Sequence, residues 1–308
     1  MQEKSLTRCN KLVPAGTPQA LKEMFKVNAL FLIDGNSILR RAFHVRSYEH
    51  LSYNNEPTGA LYGFFVMLSK LISEYKPSHL AVAFDNSRVV FRNQIYPEYK
   101  ANRSATPETF IPQKAFAEEC LDAFGITHYK YPNYEADDII ATLIRIVHEV
   151  RSNVLIRIVT GDKDLLQLVN SNTQVLYTVK GVSELDLYTA TEMIAKCGYS
   201  SDKATDIKAL KGDSADNIPG CPGIGEATAI DLISTYGSLE GVITQAATEL
   251  KGKKWENIRS HANMLLTYKE ITTLCTTVPI TIKPMKLNLN LEAGYAKLKE
   301  YGIQRVRF

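Results

Sequence analysis

Four short apolar runs set the frame of this chain, and three of them end on an acid. Residues 30–33 run into Asp34, residues 80–84 into Asp85, and residues 154–159 are followed closely by Gly161 and Asp162; residues 175–177 form the fourth run. Runs this short and this apolar read as strands buried on both faces. Between them lie helical patterns. Tyr62, Phe65, Leu68 and Ile72, with Leu61, Phe64 and Leu71 beside them, follow the spacing of one buried helix face, and Ile139, Leu143, Ile146 and Val150 mark another. The alternation predicts an α/β fold with a mainly parallel central sheet and flanking helices. Ligands of such sheets bind beyond the carboxyl ends of the strands, where these aspartates are delivered.

The 308 residues allow one large domain or two small ones. Residues 1–23 are polar, with Pro14, Gly16 and Pro18, and read as a loose tail. Met24 is an alternative start. Organellar targeting by this tail is the lesser alternative, because Arg is scarce and Glu3 and Glu23 are present. Residues 24–189 form the expected α/β domain. Within it, residues 86–120 read as a basic and aromatic insertion at the sheet edge, carrying Arg88, Arg92, Tyr96, Tyr99, Lys100 and Arg103 among Pro97, Pro107 and Pro112. From 190 to 308 the pattern is helical and punctuated by glycine, which predicts a helical subdomain.

Five widely spaced cysteines, without a CxxC or Cys-His spacing, argue against a disulfide framework and a structural zinc site. No apolar run is long enough for a membrane span, and the start lacks the apolar centre of a secretory signal. A reducing, cytoplasmic setting follows.

The acids that matter are Asp34, Asp85, Glu135, Asp137, Asp138, Asp162, Asp164, Asp213 and Asp216, several of them in tight groups such as 135–138, 162–164 and 213–216. Carboxylates gathered in one cleft repel one another unless cations neutralise them. Hard oxygen donors without Cys or His select Mg2+ or Mn2+ over zinc. Two such ions suit the attacking and leaving oxygens of a phosphodiester. Taken singly, each acid has a plainer reading: an aspartate after a strand often caps the next helix, and acids favour helix starts. The whole set is what points to a metal site, although Mg2+ phosphatases also use acidic strand ends.

Gly220-Cys221-Pro222-Gly223-Ile224-Gly225 forms a glycine-rich hairpin that opens a helix. Glycines permit positive φ and close backbone approach, and a helix start seats anions. A phosphate of a DNA backbone fits such a seat without being read for sequence; a tight turn with a helix cap is the plainer alternative. A nucleotide phosphate loop fits less well, because no Gly-Lys-Ser/Thr follows. In the insertion, Arg88, Arg92, Lys100 and Arg103 can track phosphates and the aromatics can stack on bases, while Lys100 or Arg103 can stabilise charge on a scissile phosphate. The alternative is a solvated helix face whose tyrosines pack inward, and Tyr96 and Phe116 are expected in the core.

Together these segments resemble the 5′-nuclease (flap endonuclease) family, most nearly the 5′–3′ exonuclease domain of bacterial DNA polymerase I. The resemblance rests on LFLIDGNSILRRAFH (30–44), PTGALYGF (57–64), AVAFD (81–85), FRNQIYPEYKANR (91–103), YEADDIIATL (134–143), VTGDKDLLQLV (159–169) and KGDSADNIPGCPGIGEATA (211–229), and spans about 26–308. It implies a PIN-like 5′-nuclease fold with a helical arch and a C-terminal helix-hairpin-helix subdomain. By the resemblance, Asp34, Asp85, Glu135 and Asp137 would serve one metal ion. Asp162, Asp164 and Asp213 would serve a second, with Asp138 and Asp216 acting directly or through water. Tyr99, Lys100 and Arg103 would lie in the arch, the last two as charge stabilisers. The hairpin at Gly220, Gly223, Ile224 and Gly225 would grip duplex backbone and often a K+ ion.

Ser104, Ala105 and Ile111-Pro112 depart from the family pattern and imply a looser, less basic arch. No polymerase part follows, so the expectation is a stand-alone nuclease or a fragment. The implied activity is metal-dependent cleavage of 5′ ends and flaps, in DNA or RNA primers, during replication and repair. The implied chain is a monomer, with a separate DNA polymerase as a candidate partner. A branched-DNA binder that does not cut, and an RNA-cleaving enzyme on the same frame, are the rivals. The formal charge of +3 then combines an acidic centre with a basic surround.

Overall fold

The computed structural model describes residues 29–180, 184–248 and 251–308; the expected tail at 1–23 and the alternative start at Met24 lie outside the described residues. The α/β body opens with β1 (Ala29–Asp34) and α1 (Gly35–Phe43). A small hairpin of β2 (Ser52–Tyr53) and β3 (Glu56–Pro57) leads to α2 (Gly59–Tyr75) and β4 (His79–Ala83). Then come α3 (Arg92–Ile95), α4 (Ile111–Phe124), β5 (Thr127–Tyr129), α5 (Ala136–Val150), β6 (Leu155–Thr160), β7 (Thr173–Lys180) and β8 (Glu184–Tyr188). The helical part holds α6 (Ala190–Cys197), α7 (Ala204–Lys211), α8 (Glu226–Tyr236), α9 (Leu239–Ala246) and α10 (Lys253–Thr272); α11 (Leu291–Glu300) comes last.

The main sheet has the order β5-β4-β1-β6-β7-β8, parallel except for β8. The chain grows from β1 to β4 and β5, then crosses back to β6 on the other side of β1. That reversal leaves a crevice at the carboxyl ends of β1 and its neighbours. Alternate residues serve opposite faces. Phe31, Ile33, Leu80 and Val82 pack with Leu39, Phe64, Phe65 and Phe124. Leu30, Leu32, Ile156 and Ile158 pack with Ile139, Ile140 and Leu143 of α5. Burial on both sides is why β1 and β4 read as apolar runs, whereas Arg157 interrupts that of β6. A third core joins Leu210, Ile233, Trp255 and Ile271 of the helical part with Val90, Tyr96 and Tyr99.

Two expected boundaries need correction. The segment 86–120 is not one edge insertion. Its second half belongs to α4, whose Ala117, Cys120, Leu121 and Phe124 are buried at i, i+3, i+4 and i+7. Small Ala and Cys made that stripe faint. Between β4 and α4 the only helix is the four-residue α3. The helical part likewise does not run to 308. Leu274, Val278, Ile280 and Met285 rejoin one face of the α/β body, and Leu298, Ile303 and Val306 the other. Leu80 N donates to Met285 O and Leu287 N to Ser78 O, so this return segment runs beside β4. Val278, Ile280 and Ile282, then Met285, Leu287 and Leu289, alternate as in a strand, a signal that the helical reading of 190–308 passed over. Among the described residues the cysteines are unpaired, and no helix is long and apolar enough to cross a membrane.

Buried Gln113 of α4 accepts the N–H groups of Ala60 (2.7 Å) and Leu61 (3.1 Å), two donors in the first turn of α2. Gln113→Ala strands both donors. The expected loss is about 2 kcal/mol, seen as a lower urea midpoint at unchanged slope.

Candidate metal and phosphodiester site

The acids at the strand ends cap helices and form a site at once. Asp34 closes β1 and caps α1, its Oδ1 accepting Ser37 N at 3.0 Å and its Oδ2 the Thr160 hydroxyl at 2.7 Å. Burial, against those two bonds, pushes its pKa up to about 7. Asp85, just after β4, accepts Ala136 N at 2.8 Å and the Asn36 amide, and burial beside Glu135 raises it. Asp137, in the first turn of α5, is held well above the usual carboxylate range by burial and by Asp34, Asp162, Glu135 and Asp164 around it. These acids therefore share one cleft. Glu135 behaves oppositely: Lys100 and Arg92 overcome its burial and hold it low.

The second group stands on the β6 side. Asp162 Oδ1 accepts Asp164 N at 2.9 Å. Burial raises Asp164 to about 6 in spite of Lys208. Asp213 accepts Ala215 N at 2.9 Å, and Lys208 keeps it below its ordinary value. Asp164, Asp213 and Asp216 offer carboxylate oxygens all within 4.8 Å of one another. An all-oxygen donor set at that spacing fits a hard divalent cation.

Three cations answer this charge. Lys100 pairs with Glu135, lies 3.9 Å from Asp216, and its own N–H bonds Asp216 O at 3.0 Å. Arg103, with its side chain 44% exposed, reaches Asp216 Oδ1 at 2.7 Å. Tyr99 is buried and donates its hydroxyl to Glu135 at 3.0 Å. Lys208 of α7 went unnoticed in the sequence. Its Nζ lies 2.5 and 2.6 Å from the two oxygens of Asp164 and 2.6 Å from Asp213. A lysine on the helix leading into residues 212–216 was the available signal. Beside this group opens a cleft of about 990 Å³, with Lys163, Lys196, Lys208 and Lys211 among its walls.

Three expected site residues fall elsewhere. Arg92, expected on DNA phosphates, is 1% exposed and bound to Asp138 and Glu135. Asp138, expected at the metals, is 0% exposed with both oxygens taken. Helix periodicity turns it away from Asp137, toward the protein interior. Ile224, expected to offer its backbone to phosphate, has a buried side chain and spends its N–H on Cys221 O. Of the remaining hairpin positions, Gly220 is buried against the Gly212 backbone with φ +71°, whereas Gly223 and Gly225 are exposed. Arg88 is exposed and donates to the Arg103 carbonyl.

Residues 29–198 match a family model described as the 5′-3′ exonuclease N-terminal resolvase-like domain, and residues 199–293 one described as the 5′-3′ exonuclease C-terminal SAM fold. DNA polymerase I of Mycobacterium tuberculosis is 42% identical over 261 residues, covering 84% of this chain and 28% of the relative. DNA polymerase I of Bacillus subtilis is 38% identical over 279 residues, covering 89% and 31%. The chain thus spans under a third of these relatives. In fold it is similar to T5 5′-exonuclease with bound divalent zinc (TM-score 0.68, 21% identity, 88% of this chain and 98% of that one). It is also similar to the catalytic core of Rad2 in complex with DNA (TM-score 0.55, 17% identity, 91% and 88%). With both halves of its described structure matched, the chain belongs to the 5′–3′ exonuclease family.

Proposed function

We propose that this chain is a divalent-metal-dependent, structure-specific 5′ nuclease that hydrolyses phosphodiesters near 5′ ends and flaps of DNA. One observation carries the reading: two groups of carboxylates meet at the carboxyl edge of β1, β4 and β6, faced by Lys100, Arg103 and Lys208. The residues assigned to metal are Asp34, Asp85, Glu135 and Asp137 on one side and Asp162, Asp164, Asp213 and Asp216 on the other. Two Mg2+ or Mn2+ ions held there would activate water and stabilise a leaving oxygen. Lys100, kept protonated by Glu135 and Asp216, and Arg103 would stabilise charge on the phosphate. Tyr99 orients Glu135. Arg88 and the exposed Gly223 and Gly225 would hold backbone phosphates, with K+ at the hairpin. The 5′ strand would be DNA or an RNA primer on DNA. The enzyme would act as a monomer in the bacterial cytoplasm at the nucleoid, during replication and repair, beside a separate DNA polymerase.

The deciding experiment is a 5′-flap duplex incubated with and without Mg2+, next to single-stranded RNA. Cleavage of the flap only with metal is expected; binding without cleavage at saturating Mg2+ would overturn the reading. Asp162→Ala and Asp213→Ala are each expected to abolish cleavage in a folded protein, and wild-type rates in either would remove the metal assignment. Lys100→Ala is expected to lower the rate at saturating DNA by about 10²- to 10³-fold with little change in duplex affinity, measured by single-turnover kinetics and titration.

The raised carboxyls also set a pH dependence. With native values of about 7 for Asp34 and about 6 for Asp164 against 3.8 ordinarily, the folded state binds protons that the unfolded chain releases. Their stabilising effect is whole below about pH 4 and lost as pH rises through about 6 to 7. The thermal midpoint in EDTA is expected to fall over that window. Mg2+, replacing those protons, is expected to raise it more at pH 8 than at pH 5.

A further inference from the structure

Arg92 is a buried guanidinium with every N–H engaged. Nη1 donates to Asp138 Oδ2 (2.7 Å) and Glu135 Oε2 (3.2 Å), and Nη2 to Asp138 Oδ1 (2.7 Å) and Thr273 O (3.2 Å). Nε donates to Ile271 O at 2.7 Å. Asp138 is as fully used, since it also accepts Glu135 N at 3.1 Å and Cys275 N at 2.8 Å. One ion pair thus joins three segments: α3, the start of α5, and the stretch 271–275 where the chain leaves α10 for the α/β body.

Each segment leads to the site. From α3, Tyr96 N bonds Arg92 O, Tyr99 N bonds Tyr96 O, and the Asn93 side chain donates to Tyr99 O. That short braced turn delivers Tyr99 and Lys100. The start of α5 carries Glu135 and Asp137. Glu135 receives Arg92, Tyr99 and Lys100 together. The stretch 271–275 ends the longest helix of the helical part and is pinned again by Gln167, through Thr272 O and Leu274 N.

A buried ion pair is weak grounds for stability, because apolar side chains of similar volume often serve as well. Its hydrogen bonds do fix directions, and here they fix Glu135 relative to Lys100. We propose that Arg92 is a positioning residue. It holds Glu135 and the Tyr99–Lys100 turn in register, and it ties that register to the end of α10, so that the seating of the helical part is felt at the metal site. This rests on the metal assignment proposed above. It gives Arg92 and Asp138 a role other than touching DNA or metal.

The test compares the whole wild-type chain with Arg92→Lys and with the paired change Arg92→Met and Asp138→Leu. The paired change removes both charges and restores apolar packing. Three readouts are taken below each protein's thermal midpoint: Mn2+ binding by calorimetry without DNA, and kcat and KM on a 5′-flap duplex. Both variants are expected to bind Mn2+ about tenfold more weakly and to lose about 100-fold in kcat, with KM within about threefold. A purely structural pair predicts otherwise. The folded paired variant would then match wild type in Mn2+ affinity and kcat, and that result would overturn the proposal. If the paired variant does not fold, Arg92→Lys decides alone: it keeps the charge but not the fork, and wild-type values in it would also overturn the proposal. A wild-type chain that fails to cut the flap defeats the functional reading instead, and the Mn2+ titrations still decide whether Arg92 positions Glu135.

Discussion

Carboxylate repulsion at one edge of a sheet is the constraint to which the rest of the structure answers. Asp34, Asp85, Asp137 and Asp164 are all raised, with burial the largest cause and neighbouring acids adding to it. Backbone N–H groups answer part of that charge, at Ser37, Ala136, Asp164 and Ala215. The ammonium and guanidinium groups that answer more of it come from outside the sheet. Lys208 arrives on α7, and Lys100 and Arg103 on the turn after α3. The charge that defines the site therefore also helps draw the helical part and the basic turn onto the α/β body.

The capping reading of these acids and their proposed role as metal ligands are not rivals. An N-cap bond fixes which way a carboxylate points, so the groups that begin helices arrive already aimed at the crevice. Pre-set direction matters at a metal site, where ligand placement is otherwise lost to side-chain rotation. Asp138 shows the complement. One residue beyond Asp137 on the same helix, it faces inward and meets Arg92 in place of solvent.

The central strands were legible because burial on both faces writes a largely apolar run, and Asp34, Asp85, Asp162 and Asp164 because they follow those runs; Glu135, Asp137, Asp213 and Asp216 were legible by their clustering. Side chains whose partners lie far away in sequence were not. Arg92 meets Asp138, Ile271 and Thr273 across 46 residues or more, and composition alone made it a surface cation. Lys208 sits in an ordinary amphipathic helix; Asp213 is close to it in sequence, but Asp164, which it meets through both oxygens, lies 44 residues earlier. The α4 stripe was faint because Ala and Cys carry little hydrophobic contrast. The return of residues 274–306 does carry a trace, the alternation of Val278, Ile280 and Ile282 and of Met285, Leu287 and Leu289, but nothing local says that its partner is β4, some 200 residues earlier.

That return has a consequence for how the molecule comes to be. The apolar positions that finish both faces of the α/β body, from Leu274 to Val306, follow the whole helical part in the chain. During synthesis the sheet must wait for them, with surface around Phe124 and β4 still uncovered. Contacts between β4 and residues some 200 positions later make for high contact order and slow final closure. The helical part, spliced in between, is held at both of its ends, and it becomes part of the core's own assembly in a way that an appended module would not.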